Sequence, residues 1–235
     1  MTTEVDRRVV HARLAPRRSA ARATRWWGKA WVRAVEEAAY TETDLRAARG
    51  LARAGRVGGI TVGVGELVAS VEDEGGLATV SGTLPVLDGA SRDALVETVA
   101  AESGRIAALL AGDLPHSLVE HADQMGVELL PYGAELATSC TCDFWADPCP
   151  HALAVLYQLT WLIEADPFVL LHLRGLPREE LLADLHARTV TADELAGDSS
   201  PGRADDVDTA LDAAVRAARI LELVDDPARP IDHLF

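Results

Sequence analysis

The sequence predicts an α+β fold, and three observations carry that prediction. Apolar residues recur at helical spacing over Arg25–Ala39, from about Ser91 to Leu110, and again in the run that follows His151. Between the first two runs, GGITVGVGELVASVEDEGGLATVSGTLPVL turns to small and β-branched residues interrupted by glycines, the pattern of short antiparallel strands. All three cysteines of the chain fall within SCTCDFWADPCPH, Ser139 to His151. The expected order is N-terminal helices, a small antiparallel sheet, and a helical region entered through that cluster.

Residues 1–22 are basic and poorly patterned, and are expected to form a mobile N-terminus. Thr24 is the candidate cap of a helix over Arg25–Ala39 that carries Trp27, Trp31 and Val35 on one face. Aromatic residues at that spacing usually pack inward, so this face is read as core rather than as a platform for nucleobases. Glu36 and Glu37 stand near the helix end, against its dipole, which predicts partners elsewhere in the fold. A second helix, about Asp44 to Ala54, would gather Arg46, Arg49, Arg53 and Arg56 into a stripe at three- and four-residue spacing. Strands follow at about 57–62, 66–72 and 77–82, broken at Gly63, Gly65 and Gly75–Gly76.

A helix opened by Ser91 or Asp93 runs to about Leu110, then a short helix from His116 to Met125 and an extended piece from Glu128 to Leu130. ALAVLYQLTWLIEAD is apolar nearly all round, as a helix buried on most sides would be. Asp166-Pro167 restarts the chain, Gly175 stops it, and Pro177–Ala187 reads as another helix. The domain scheme is a basic N-terminus over 1–22, an α+β domain over 23–135, the cysteine cluster with its following helices over 136–189, a linker over 190–204, and a C-terminal amphipathic helix within 205–235. The apolar face of that last helix either docks a partner or packs back on its own domain.

The net charge of the 235 residues is -15, unevenly spread. Residues 1–57 hold thirteen basic against six acidic groups; the rest hold nine against thirty-one. Any contact with a phosphate backbone must therefore use the N-terminal third. No eighteen-residue apolar run is present, and the N-terminus lacks the apolar stretch of a secretory signal, so neither a membrane span nor secretion is expected. A cytoplasmic, reducing location is predicted, where clustered cysteines act as metal ligands rather than disulfides.

Cys140, Cys142, Cys149 and His151 form a Cys-x-Cys, six-residue gap, Cys-x-His arrangement. Three thiolates and one imidazole are a complete tetrahedral set for Zn2+, leaving no position for a catalytic water. Pro148 and Pro150 stiffen the approach, and Phe144 and Trp145 are expected to cover the site. The helical region is thus predicted to be zinc-anchored, and a zinc hydrolase is disfavoured.

This spacing resembles the SWIM zinc finger, found in some Swi/Snf-type helicases, transposases and kinases. Trp26-Trp27-Gly28 with Trp31, Leu109-Leu110-Ala111-Gly112 with Leu114-Pro115, and Asp166-Pro167-Phe168 with Leu173-Arg174-Gly175 are similar to actinobacterial members, over about residues 24–187. The resemblance implies a Swi/Snf-type helicase as protein partner. The family stretch reads Cys-Ser-Cys-Pro-Asp-Trp-x-x-Pro-Cys-Lys-His; here Asp143-Phe144 replaces Pro-Asp, and Pro150 replaces the lysine. The finger thereby loses its obvious phosphate contact.

Lys29, Arg33, Arg46, Arg49, Arg53 and Arg56 are the candidate nucleic-acid contacts, with a solvated helix face paired to acidic neighbours as the alternative reading. No nucleophile elbow, dinucleotide fingerprint or phosphate-binding lysine loop is present, and neither enzyme activity nor a small-molecule substrate is expected. The sequence therefore predicts a non-catalytic zinc-binding adaptor for a helicase partner, or alternatively a direct DNA-binding protein acting through its basic N-terminal third.

Overall fold

Helix α6 (Pro150–Ala165) is buried along almost its whole length, between neighbouring helices and the sheet. The computed structural model describes residues 8–17 and 23–196. Helices α1 (Trp26–Ala38) and α2 (Glu42–Arg53) pack against α6, which also contacts the sheet. That sheet is antiparallel, in the order β1 (Val9–His11), β2 (Val57–Gly63), β3 (Glu66–Asp73), β4 (Gly76–Thr83) and β5 (Ala137–Cys140). Leu67, Ala69 and Val71 of β3, with Ala78 and Val80 of β4, alternate with more exposed residues, so one face of the sheet is core.

The tryptophans of α1 account for its attachment. Trp27 and Trp31 are buried, and their indole N–H groups donate to the carbonyls of Ile163 and Leu156 in α6, each at 3.1 Å. Burying such a ring together with its polar atom requires a partner of this kind. The N-terminus of α1 has no side-chain cap of its own; Arg25 sits at the cap position instead of Thr24. Glu164 of α6 supplies the missing acceptor, taking the backbone N–H groups of Thr24 and Arg25 at 2.6 and 2.7 Å. Gly28 allows that approach, since a Cβ there would lie 2.5 Å from the Glu164 side chain. Glu36 and Glu37 do have partners, Arg49 at 2.7 Å and the Gly133 N–H at 3.4 Å.

Several sequence expectations are corrected. Residues 9–11, assigned to a mobile N-terminus, pair with β2 in the register Val9↔Val62, and Arg13 donates to the Gly55 carbonyl at 2.8 Å. The boundary at 135/136 does not divide the structure. β5 pairs with β4 in the register Val80↔Cys140, a contact between segments too distant in sequence for local pattern to reveal. The helix expected to run unbroken to Leu110 is two, α3 (Gly89–Ala100), capped by Asp88, and α4 (Ser103–Leu110). Buried Arg105 of α4 folds back across the break, donating to the Thr98 carbonyl at 2.6 Å and pairing with Glu102. Residues 128–130 form no strand; the Glu128 carbonyl accepts from Arg174.

Helix α5 (His116–Gln124) and helix α7 (Phe168–Leu173) lie close to their expected positions. Gly175 ends the latter with φ +90°. Helix α8 (Arg178–Ala196) runs into the stretch expected to be a linker, because neither glycine nor proline interrupts the sequence from 178 to 196. Contacts divide the chain into two units, one ending at Leu185 and one beginning at His186. The remainder of the expected linker and the helix within 205–235 lie outside the described residues. Among the described residues, no helix is long and apolar enough to cross a membrane.

The 3-10 turn Gly133–Glu135 sits on α1 so closely that a Cβ at Gly133 would lie 2.9 Å from the Ala34 carbonyl and 2.6 Å from Glu37 Cβ. Gly133→Ala is expected to destabilise the fold by about 1–3 kcal/mol, read as a lower urea midpoint with an unchanged slope.

Candidate metal centre

The four predicted ligands come from one edge of the sheet and the head of α6. Cys140 ends β5, and the chain then continues the sheet edge: the Thr141 N–H donates to the Thr79 carbonyl, and the Thr79 N–H to Thr141 Oγ1. Cys142 lies in the next turn. Cys149 is the N-cap of α6, its sulfur accepting from the Ala152 N–H at 3.4 Å, and Pro150 takes the first helical position, where no N–H is needed. His151 stands in the first turn. The Cys140, Cys142 and Cys149 sulfurs and one His151 nitrogen all lie within 4.8 Å of one another.

The chemistry of the donors fits a bound cation. Cys149 is buried, and burial, followed by the two neighbouring thiols, pushes its pKa up to about 12 although the Ala152 N–H pulls the other way. Burial also raises Cys140. For Cys142 burial acts upward, but the Phe144 N–H and the side chains of His151, Cys140 and Cys149 outweigh it, and its pKa lies below the ordinary thiol value. Protons and a metal thus compete for the same sulfurs, and a soft cation with high thiolate affinity is the species suited to win that competition.

Sequence reasoning missed one residue of this centre. Asp73, at the end of β3, accepts from His151 Nε2 at 2.7 Å, while Nδ1 faces the thiols, 3.8 Å from Cys140 Sγ. The hydrogen bond to His151 holds the Asp73 carboxyl below its usual range. Against the downward pull of burial, Cys142 and Asp73 raise the imidazole. A carboxylate on the far nitrogen fixes the ring's orientation and tautomer, as partners behind metal-bound histidines do. Asp73 lies 67 residues before Cys140. The only local signal was a carboxylate at a hairpin turn, where its other oxygen accepts the Gly75 N–H at 2.8 Å.

The expected cover over the site is different in the structure. Trp145 is 74% exposed, with its ring 5.5 Å from Tyr40 and 5.8 Å from Phe144. These three side chains make an aromatic surface beside the metal loop rather than an inward lid. Asp147 is tied to β5, accepting from the Thr138 hydroxyl at 2.6 Å.

Five of the six predicted phosphate-contacting residues converge. Lys29 and Arg33 of α1, and Arg46, Arg49 and Arg53 of α2, line one groove of about 760 Å³. Arg56 lies apart, within 3.9 Å of Glu72 and beside a second cleft lined by Cys142, Phe144 and His151.

The SWIM zinc finger family profile matches residues 126–159. The chain is similar to the uncharacterized protein Rv2102 of Mycobacterium tuberculosis, with 31% identity over 213 residues, which span 89% of this chain and 76% of that relative. No solved structure matches it significantly.

Asp73→Asn removes the carboxylate behind His151 while keeping its shape. A loss of about 10–100-fold in metal affinity is expected, measured by competition with a chromogenic chelator. Wild-type affinity in this variant would remove Asp73 from the centre.

Proposed function

This chain belongs to the SWIM zinc finger family, and from that premise we propose that it is a non-catalytic, zinc-binding adaptor that presents a folded surface to a protein partner. The observation that carries this reading is the completeness of the ligand set. Cys140, Cys142, Cys149 and His151 Nδ1 would hold Zn2+ with no position left for water, so the ion's contribution is to bind β5, the loop and the head of α6 together. A site closed in this way suits structure rather than turnover.

The aromatic cluster Tyr40, Phe144 and Trp145 supplies the surface, since exposed clustered aromatic side chains are the usual anchors of protein interfaces. The family resemblance supplies the class of partner, a Swi/Snf-type helicase. Three clustered thiols outside any disulfide suit a reducing cytoplasm.

A second reading, direct binding of nucleic acid, is supported by the groove between α1 and α2 that gathers Lys29, Arg33, Arg46, Arg49 and Arg53. Charge at the metal loop gives it no help, with Asp143 exposed and Pro150 in place of a lysine.

Purified protein is expected to hold one zinc per chain by elemental analysis. Cys149→Ser should lose the metal and lower the melting temperature by many degrees; a metal-free wild type that melts at the same temperature as the loaded one would defeat the structural role. For the adaptor reading, the tagged full chain should capture a Swi/Snf-type motor from its own host. Trp145→Ala should reduce that capture by about tenfold or more while leaving zinc content intact. Capture that is indifferent to Trp145 would place the contact elsewhere.

A further inference from the structure

Charge pairing in this protein follows a rule with one conspicuous exception. Acidic groups outnumber basic ones by 37 to 22, and cations outside the groove are typically paired: Arg8 with Glu66, Arg25 with Asp113, Arg92 with Glu180 and Asp184, Arg105 with Glu102, Arg174 with Glu135. In the groove between α1 and α2 the rule fails. Lys29, Arg33, Arg46 and Arg53 are exposed and form no ion pair with any other described residue.

The single carboxylate in the groove lining does not compensate them. Glu36 is held by Arg49 at 2.7 Å, and Arg49 also binds Glu42 at 3.0 Å and the Tyr157 hydroxyl at 3.0 Å. Four cations without an acidic partner among the described residues thus share one concave surface. Gathering like charges raises their mutual repulsion, and a bound polyanion is what relieves it. Two buried rings of α6 form the floor of the groove. Tyr157 and Trp161 line it, and the Arg17 guanidinium lies 4.0 Å above the Trp161 ring, adding another cation at its margin.

We propose that this groove binds the phosphodiester backbone of single-stranded nucleic acid, with Lys29, Arg33, Arg46 and Arg53 as the phosphate contacts and Arg49 as the residue that keeps Glu36 from neutralising them. The proposal rests on the second of the two readings above and narrows it. A volume of about 760 Å³ between two helices is that of a small-ligand pocket, which a flexible single strand can enter. A duplex is convex and stiff and would meet only the rim. A positively charged groove that tracks the backbone is also how sequence-tolerant single-strand binders hold their ligand. Flexible guanidinium side chains at three- and four-residue steps along α2 can follow successive phosphates without demanding one base sequence.

The test uses the full zinc-loaded chain and a fluorescein-labelled oligothymidylate of about 12 nucleotides, followed by fluorescence anisotropy. Saturable binding is expected, with log affinity falling against log salt at a slope near about -3, the value for four cations at roughly 0.7 per phosphate on a single strand. Lys29→Ala should lower that slope by about 0.7. The double variant Arg46→Glu/Arg53→Glu should lose at least about tenfold in affinity at an unchanged melting temperature. Arg56→Ala, outside the groove, should bind as wild type. If a duplex of the same length competes as well as the single strand, the groove proposal falls and direct nucleic-acid binding survives. If neither form binds saturably, both fall. Wild-type affinity in the double variant also overturns the groove.

Discussion

His151 is hydrogen-bonded to Asp73, and this bond ties the head of the central helix to the β3–β4 hairpin. Its imidazole faces three thiols with one nitrogen and the β3–β4 hairpin with the other. His151 belongs to the first turn of α6, and α6 is the helix that the sheet, α1 and α2 all touch. The thiols of β5, the intervening loop and the helix cap therefore share one small volume with a carboxylate from a distant hairpin. A ligand set placed there constrains the head of the central helix, not a peripheral knuckle. Burial holds the proton on Cys149, where the N-terminus of α6 pulls toward the thiolate and a bound cation would add to that pull.

Arginine has two distinct employments in this fold. Arg105 and Arg174 are buried, and each binds backbone carbonyls: Arg105 closes the break between α3 and α4, and Arg174 holds the carbonyls of Pro85 and Glu128. Their charges are met by Glu102 and Glu135. A planar guanidinium with several donors suits this work better than a lysine would. Arg33, Arg46 and Arg53 in the groove are the opposite case, exposed and in no ion pair with another described residue.

Local pattern revealed α1, α2, the three central strands and α6 nearly to the residue, because each carries its period in its own segment. The four ligand positions were equally legible, since residue type and spacing suffice to name them. What could not be read was long-range: β5 against β4, Glu164 capping α1, and Asp73 behind His151 each join residues some 60 to 140 positions apart. The break between α3 and α4 was hidden for another reason. Its apolar spacing continues across the junction, which is marked by Ser103-Gly104, a weak pair for a helix interior, and by the inward turn of a charged residue, Arg105. Trp145 is not legible because an aromatic residue beside cysteines reads as cover, whereas the loop turns it outward.

Helix α2 connects the cationic groove to the cleft beside the metal centre. Its Arg46, Arg49 and Arg53 line the cationic groove, while Ala47, Gly50 and Leu51, one step around the helix, line the cleft that also contains Cys142, Phe144 and His151. The small side chains on the second stripe leave that cleft open, and the long ones on the first build the other. On its inner side α2 is held to α6 by Gln158, whose amide donates to the Ala52 carbonyl at 2.8 Å, and by Tyr157 against Arg49. The helix that receives Cys149 and His151 at its head is thus the one that positions the arginines several turns along. Metal centre and groove share one support, α6, and a cation held by the four ligands would fix the frame from which the exposed cations and aromatics are presented.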